Sequence, residues 1–391
     1  MKKLIGRGRR DPVDGCAKRM TIRGRRDPVD GCAERMTIRG RRDPVDGCAE
    51  RMTIRGRRDP VGRCAMRMAS QRGVALIIAL ILVALAAILA TKLTFDGFLE
   101  RRRAIGVLAA EQALHFGMGA EALAADVLAQ DAQNNASFTV LSAPWAQPTQ
   151  PLPITPQDDP EGEPIGTLQG ELEDMQGRFN LNNLAHVTGA GPQGATQDPQ
   201  PLEQFRRLLL AVGLEAKWAG MARDWIDADD IPGNPDGAED QIYTSQSPPY
   251  RTGNWPMTSP SELMNLPGFG ADRYRKIAPY VTALPTATAT INICTASAPV
   301  LESLADNLSG EYSAEVLANG RKSGCFPDPQ SFANILRGQP TGTSKPYDTK
   351  SKYFRLTTRV TLGTTEFTLY SLLLRTGGGK VTPLLRSFGT P

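Results

Sequence analysis

From Val74 to Ala90 the chain contains only Val, Ala, Leu and Ile, seventeen residues in a row. A run this apolar, closed by Lys92 and with no Pro or Gly inside it, folds as a helix. It reaches the short limit for crossing a bilayer, and Thr91 to Phe95 can carry it into the interface. A cleaved secretory signal would end in a small-residue cleavage site after the run, yet here the Ala-rich helical pattern simply continues. The segment opens abruptly after Arg72-Gly73, and it begins late.

The formal charge of +4 over 391 residues averages two unlike parts. Residues 1–65 hold 19 Lys and Arg against 9 Asp and Glu, a net of +10, which leaves 26 against 32, or −6, for the remainder. The mildly acidic body offers no broad phosphate-binding surface. The basic part is a tandem repeat, RGRRDPVDGCAKRMTI and three further copies, the last degenerate. Folded repeats keep their apolar positions and let the rest drift. These copies are nearly identical and have little to bury, which reads as a duplicated tract, disordered or upstream of the true start at Met66 or Met68. A basic arm for nucleic acid is the other reading. Cys16, Cys32, Cys48 and Cys64 recur every sixteen residues, unlike the close pairs that zinc requires. Cys294 and Cys325 stand alone in the body; one disulfide in an oxidising compartment and two free thiols are both open.

The small charged leader, the Arg72-Gly73 junction and the immediate apolar helix resemble a type IV prepilin signal. That resemblance implies cleavage by prepilin peptidase between Gly73 and Val74, with the helix kept as a membrane anchor. Ile78 then occupies the fifth mature position, where most pilins and pseudopilins carry Glu. A carboxylate in an apolar filament core is costly unless a neighbour pairs with it, and a subunit at the filament tip has no neighbour above. An apolar residue there resembles the K-type minor pseudopilins of type II secretion systems. Charges flanking the helix do not by themselves favour a cytoplasmic N-terminus; a periplasmic body and single-pass inner-membrane anchoring follow from the resemblance.

The body fits that family in outline. Residues 97–133, Ala- and Leu-rich with spaced charges (Leu108, Leu114, Leu123 and Leu128 among them), continue the helix as an amphipathic stretch. The prolines of 143–166 argue against regular structure there. "LQGELEDMQGRFNLNNL" (168–184) reads as a strand and a turn at Gly177, with Asn side chains bonding to backbone; Gly177 to Asn182 is similar to a stretch of the K-type family. From Pro201 the pattern is helical, with Ser259, Pro260 and Glu262 forming a capping box and Ser297 as a further cap. At the C-terminal end Phe354, Leu356, Thr358, Val360 and Leu362 alternate with Arg and Thr, "EFTLYSLLLR" follows a turn at Gly363, and "KVTPLLRSF" offers a third strand.

Chemistry concentrates in "DWIDADDIPGNPDGAEDQIY" (224–243), with seven carboxylates interrupted by Pro and Gly. They repel one another unless solvated or neutralised by a hard cation. The EF-hand template fails, because Pro232 falls where its glycine belongs and Ala238 where its Glu belongs. Trp225, Asp227, Asp229, Gly237 to Asp240 and Tyr243 match a K-type motif, and the resemblance implies structural calcium, with Asp227, Asp229, Asp230, Asp236, Glu239 and Asp240 as candidate ligands and Asp224 placed on the preceding helix.

The rival reading is a membrane-anchored DNA receptor of the competence type, because "LMNLPGFG" (263–270) and 291–304 look like helix-hairpin-helix pieces. The acidic body argues against it. His115 and His186 are isolated, and no nucleophile–base pair or nucleotide fingerprint appears, so no enzyme is read here. The expected architecture is α+β: a long N-terminal transmembrane helix packed on an antiparallel sheet in the pilin manner, with a large all-helical domain inserted. Its divisions are repeats 1–65, leader 66–73, membrane helix 74–95, pilin-like helix and first strands 96–200, inserted domain 201–325 and C-terminal strands 326–391. The resemblance implies a place at the tip of the secretion pseudopilus, initiating its assembly and supporting export. Implied partners are the I- and J-type minor pseudopilins, prepilin peptidase, the inner-membrane secretion platform and secreted substrates; nucleic acid is not expected.

Overall fold

The computed structural model describes residues 72–156, 158–159, 161–188, 196–305, 316, 320–321, 324–335 and 345–389. The repeat tract 1–65, with its four cysteines, and the leader as far as Gln71 lie outside the described residues.

One helix, α1 (Arg72–Asn134), runs without a break from the apolar segment into the body. Its membrane-type stretch is exposed on every side. The later half buries a stripe of small residues, Ala113, Gly117, Ala120 and Ala124, followed by Leu128. Successive spacings of four, three and four keep them on one helix face. A side chain at Gly117 would start 3.0 Å from Leu369 Cδ2, so the helix lies as close to the sheet as its backbone permits. The leucines of the stretch divide between the two sides: Leu128 is buried and Leu114 partly so, but Leu108 and Leu123 are exposed. Large side chains on the buried stripe would hold the helix off.

The sheet is fully antiparallel and ordered as in the sequence: β1 (Leu152–Ile154), β2 (Gly166–Asp174), β3 (Tyr353–Leu362), β4 (Thr365–Arg375) and β5 (Val381–Phe388). The alternation expected in β3 is present, with Phe354, Leu356, Thr358, Val360 and Leu362 all buried. Gly363 makes the β3–β4 turn at φ +57°, a conformation that costs residues with a Cβ. The proline-rich stretch does hold a strand, β1, which includes Pro153 opposite Thr167. A missing N–H is tolerated there because β1 is an edge.

Two carboxylates from α1 cross the interface. Glu121 accepts from Arg386 Nε and Nη2 at 2.8 and 2.7 Å and from Ser371 Oγ. Asp131 accepts from Arg375 Nη1 at 2.9 Å, while Arg375 Nη2 donates to Thr139 Oγ1 and the Ser351 carbonyl. Both acids are almost fully buried, and each is paired, as burial of charge demands.

Between β2 and β3 the chain leaves the sheet at Asp174 and rejoins it at Tyr353. This excursion carries α2 (Pro199–Ala211), α3 (Trp218–Ile226), α4 (Asp240–Tyr243), α5 (Gly270–Ile277), α6 (Ala298–Glu302) and α7 (Pro329–Ile335). It is wider than 201–325, since Phe179, Leu181, Leu184 and Tyr347 belong to its core. The reason is visible at Phe179–Asn180, which pairs in parallel with Val281–Thr282 rather than with the main sheet. Phe179 stacks on Phe205 of α2 at 5.2 Å. The "NLNN" side chains fasten distant loops. Asn180 receives Leu284 N at 2.8 Å, Asn182 bonds both backbone groups of Met257, and Asn183 does the same for Ala289. The capping box at Ser259 and Glu262 forms, on a 3-10 helix (Pro260–Asn265). Ser297 occupies the N-cap of α6 without a side-chain cap bond. Cys294 and Cys325 are joined by a disulfide, which ties the segment before α7 to the core.

Candidate metal centre

The acidic loop is organised from Asp224, on α3. Its carboxylate is wholly buried; Oδ2 accepts from Gly233 N at 2.8 Å and Ala238 N at 2.9 Å, and Arg223 Nη2 stands 3.6 Å from Oδ1. Both ends of the loop are thereby drawn onto one residue. A Cβ at Gly237 would fall 2.3 Å from Asp224 Oδ2 and 2.1 Å from Gly233 N, so the Pro-Gly composition is what lets the loop close this tightly. The placement of Asp224 on the helix agrees with the sequence reading; its role as the hub was not evident there.

The loop brings three carboxylates together. Asp227 caps the C-terminus of α3, Glu239 is the N-cap of α4, and each contributes, with Asp229, an oxygen to a group whose members lie within 4.8 Å of one another. Asp229 faces solvent, but Glu239 is only 4% exposed and neither of its oxygens has a hydrogen-bond partner. An ionised carboxylate in that position is expensive. Burial first, then the charges of Asp224, Asp227, Asp229 and Asp230, push the Glu239 carboxyl up to about 7. The neighbouring Tyr243 hydroxyl is buried without a partner and its pKa is raised, chiefly by burial. An oxygen-only cluster of this kind suits a hard divalent cation, which would supply the missing positive charge.

The other three candidates are placed elsewhere. Asp230 Oδ1 accepts from Asn254 Nδ2 at 3.0 Å. Asp236 faces Arg206 at 4.0 Å. Asp240 accepts from the Thr252 backbone and hydroxyl at 3.1 and 3.0 Å, with Arg251 3.5 Å away. Asn254 was not anticipated. It holds the rare backbone φ of +43° and reaches across to Asp229 and Asp230, so the 251–256 loop braces the acidic one.

The helix-hairpin-helix resemblance has a different local meaning. Gly268, just before α5, and Gly270, its first residue, do take positive φ. Arg273, however, bonds the carbonyls of Gly268 and Phe269, approaches Glu215 at 3.4 Å and lies over the Trp218 ring. Arg275 pairs with Asp272. The Arg273 guanidinium thus closes the turn upon itself, while that of Arg275 is paired within α5.

Comparisons of sequence and of structure with known proteins point one way. Models of the family described as type II secretion system (T2SS), protein K, match residues 177–286 and 291–350, which together lie inside the insertion between β2 and β3. The type II secretion system protein K of Pseudomonas aeruginosa is 34% identical over 330 residues, covering 82% of this chain and 93% of the relative. That of Pectobacterium carotovorum is 32% identical, covering 82% and 97%. The crystal structure of the GspK-GspI-GspJ complex from the enterotoxigenic Escherichia coli type 2 secretion system is similar with a TM-score of 0.60 and 27% identity, over 74% of this chain and 100% of that one. A pilin-like helix and sheet interrupted by the insert that the family models describe, with relatives matched along nearly their whole length, lead to one assignment: the chain belongs to the type II secretion system protein K family of minor pseudopilins.

Proposed function

We propose that this protein sits at the tip of the type II secretion pseudopilus, starts its assembly with I- and J-type minor pseudopilins, and supports export of folded proteins across the outer membrane. Prepilin peptidase cuts between Gly73 and Val74. The helix that remains anchors the chain in the inner membrane, where the secretion platform acts on it, with the body in the periplasm. The observation that carries this reading is the single unbroken α1, whose Val74–Ala90 stretch contains no polar side chain and has Ile78 where a filament-internal subunit would need a charge. A broad inserted region on a pilin body also suits a subunit with nothing stacked above it, placed to meet secreted substrates. Mass spectrometry of the chain from cells with an active prepilin peptidase tests the reading. A mature N-terminus at Val74 supports it, and a chain that retains residues before Val74 overturns it.

The proposal extends to a structural calcium ion held by Asp227, Asp229 and Glu239. The unpartnered, buried carboxylate of Glu239 supports it. The ion would supply charge neutralisation, and Asp224 and Asn254 would keep the two loops in position around it.

A further inference from the structure

Three consecutive arginines, Arg101, Arg102 and Arg103, stand on α1 between its apolar segment and the sheet. All three are exposed, and among the described residues none makes an ion pair with a carboxylate. At about 100° per residue they spread around the helix at one height instead of lining one face. A partner lying along α1 would meet one of them, whereas a plane that the helix pierces meets all three. Two acids are close by in the chain. Asp96 and Glu100 share a face with Lys92 and Arg103 and balance them, while Arg101 and Arg102 point to other faces, so four cations against two acids leave +2 over 92–103. Asp158, Asp159, Glu161 and Glu163 lie in the β1–β2 connection, at the end of the sheet nearer the apolar segment, and pair with none of the arginines.

Height decides what such a ring can touch. Counted from Val74, a hydrocarbon layer of ~30 Å takes ~20 helical residues, as far as Leu93, and the headgroup layer adds ~5–8 Å on each side. In a helix the Cα–Cβ bond tilts toward the N-terminus, here toward the apolar segment. Arg102 follows that tilt: its Cζ lies over the Phe98 ring, 4.8 Å from the centroid. Phe98 stands ~7.5 Å along the axis beyond Leu93, so the guanidinium folds back to the level of the lipid headgroups. Phe95 and Phe98 are themselves exposed and continue the apolar surface up to the cations. An apolar rod, an aromatic step and a ring of unpaired guanidinium groups in that order match an anionic lipid surface.

We propose that Arg101, Arg102 and Arg103 form a collar that binds the phosphate headgroups of anionic lipids, in the leaflet on the body's side of the membrane. The collar rests on the reading of α1 as a membrane anchor and fixes how deep that anchor sits. The test places the full chain in phosphatidylcholine vesicles and compares spin-labelled phosphatidylglycerol with spin-labelled phosphatidylcholine in the motionally restricted lipid shell. Phosphatidylglycerol should be favoured by at least ~5-fold, the factor given by one guanidinium near a charged surface. Arg101→Gln, Arg102→Gln and Arg103→Gln made together should lower that preference by about the same factor and leave the phosphatidylcholine shell unchanged. Equal restriction of the two lipids in the wild type overturns the proposal without requiring any variant. A preference that survives the triple change also overturns it, since other cations, such as those of residues 1–65, would then carry it. Exchanging chloride for inorganic phosphate at constant ionic strength should leave the preference in place; its loss would mark a free-anion site and overturns the lipid assignment. Absence of a restricted shell of either lipid instead overturns membrane anchoring, and the collar with it, so the two failures are distinguishable.

Discussion

Replacing Glu239 with Gln should stabilise the cation-free protein and destabilise the calcium-loaded one. The change keeps the shape of the side chain and removes its charge. In the folded protein the Glu239 carboxyl is raised from 4.5 to about 7, and a shift of that size corresponds to about 3 kcal/mol. Because the folded value is the higher one, the penalty is absent below the unfolded pKa. It grows as pH rises through the folded value and is complete at pH 8. An independent figure comes from distance. Carboxylate oxygens within 4.8 Å of each other repel by about 3 kcal/mol per pair at an effective dielectric of about 20, an upper bound because Asp229 is exposed. At pH 8 in chelator, Glu239→Gln should therefore melt higher than wild type by several degrees, at ~2–4 °C per kcal/mol. Saturating calcium at a thousandfold excess over Kd adds about 4.1 kcal/mol to the wild type, more than the penalty of about 3 kcal/mol it has to offset, whereas the variant, lacking one ligand charge, binds too weakly to gain much, so the order inverts. Tryptophan fluorescence is a suitable readout, since Trp225 packs against Tyr243 beside the site at 5.3 Å. If the variant melts lower than wild type in chelator as well as in calcium, the repulsion argument is wrong. If chelator leaves the wild type unmoved, no structural cation is present.

Other perturbations address the rest of the fold. Gly117→Val places side-chain atoms where Leu369 already sits 3.0 Å from a modest Cβ; a cost of about 1–3 kcal/mol is expected, read as a lower melting temperature, while the same change at Gly119, which faces open space, should lack that overpacking cost. For Glu121, burial raises the pKa, but hydrogen bonds from Arg386 and Ser371 and the Arg386 charge prevail, and the net shift is downward. Its stabilisation is therefore present above the unfolded value and is lost as pH falls through the folded one; Glu121→Gln should cost about 2 kcal/mol at neutral pH, with the wild-type and variant denaturation midpoints converging in acid. The Cys294–Cys325 bridge closes a separation of 31 residues, for which chain entropy gives about 3–4 kcal/mol; reductant should lower the wild-type melting temperature and leave Cys294→Ala unchanged. Asn182→Ala strands buried backbone groups at Met257 and Leu284, so a loss of about 3 kcal/mol is expected, visible in a denaturant midpoint.

The strands and helices were legible wherever one local pattern decided the outcome. β3 alternates because one of its faces meets α1, and Ser259, Pro260 and Glu262 cap a helix whatever surrounds it. The sequence was less informative where distant residues decide. Nothing local marks Ala113, Gly117, Ala120 and Ala124 as the buried face of α1, because alanine and glycine carry a weak hydrophobic signal; the leucines that carry a strong one partly face outward. Pro153 disqualifies a strand only if that strand is central, and whether it lies at an edge depends on residues two hundred positions away. The acidic loop shows the same division. Composition announced a cluster of carboxylates, but which of them converge depends on Asp224 drawing Gly233 and Ala238 inward, on Arg206 and Thr252 engaging Asp236 and Asp240, and on Asn254 holding Asp230.

The topology explains how an insert of this size can be carried at all. It enters from the end of β2 and returns at the start of β3, and these strands are hydrogen-bonded neighbours, so the sheet closes as though nothing lay between them. The seam is held by Asp174, the last residue of β2. Its carboxylate accepts from Ser351 Oγ and Thr295 Oγ1, both at 2.6 Å, from Asn292 Nδ2 at 2.9 Å and from Gln176 N at 2.8 Å. Burial nonetheless raises its pKa, the four donors offsetting only part of the cost. Asn292 also donates to the Thr139 carbonyl just beyond α1, and Thr139 Oγ1 accepts from Arg375 of β4. Helix, sheet and insert therefore meet in one buried polar network, where each group is satisfied by partners from the other parts. A network of this kind specifies one arrangement, because displacing any member strands several others. An insert tied to helix and sheet through such a network presents the same outer surface in every molecule, as the tip position proposed above would demand.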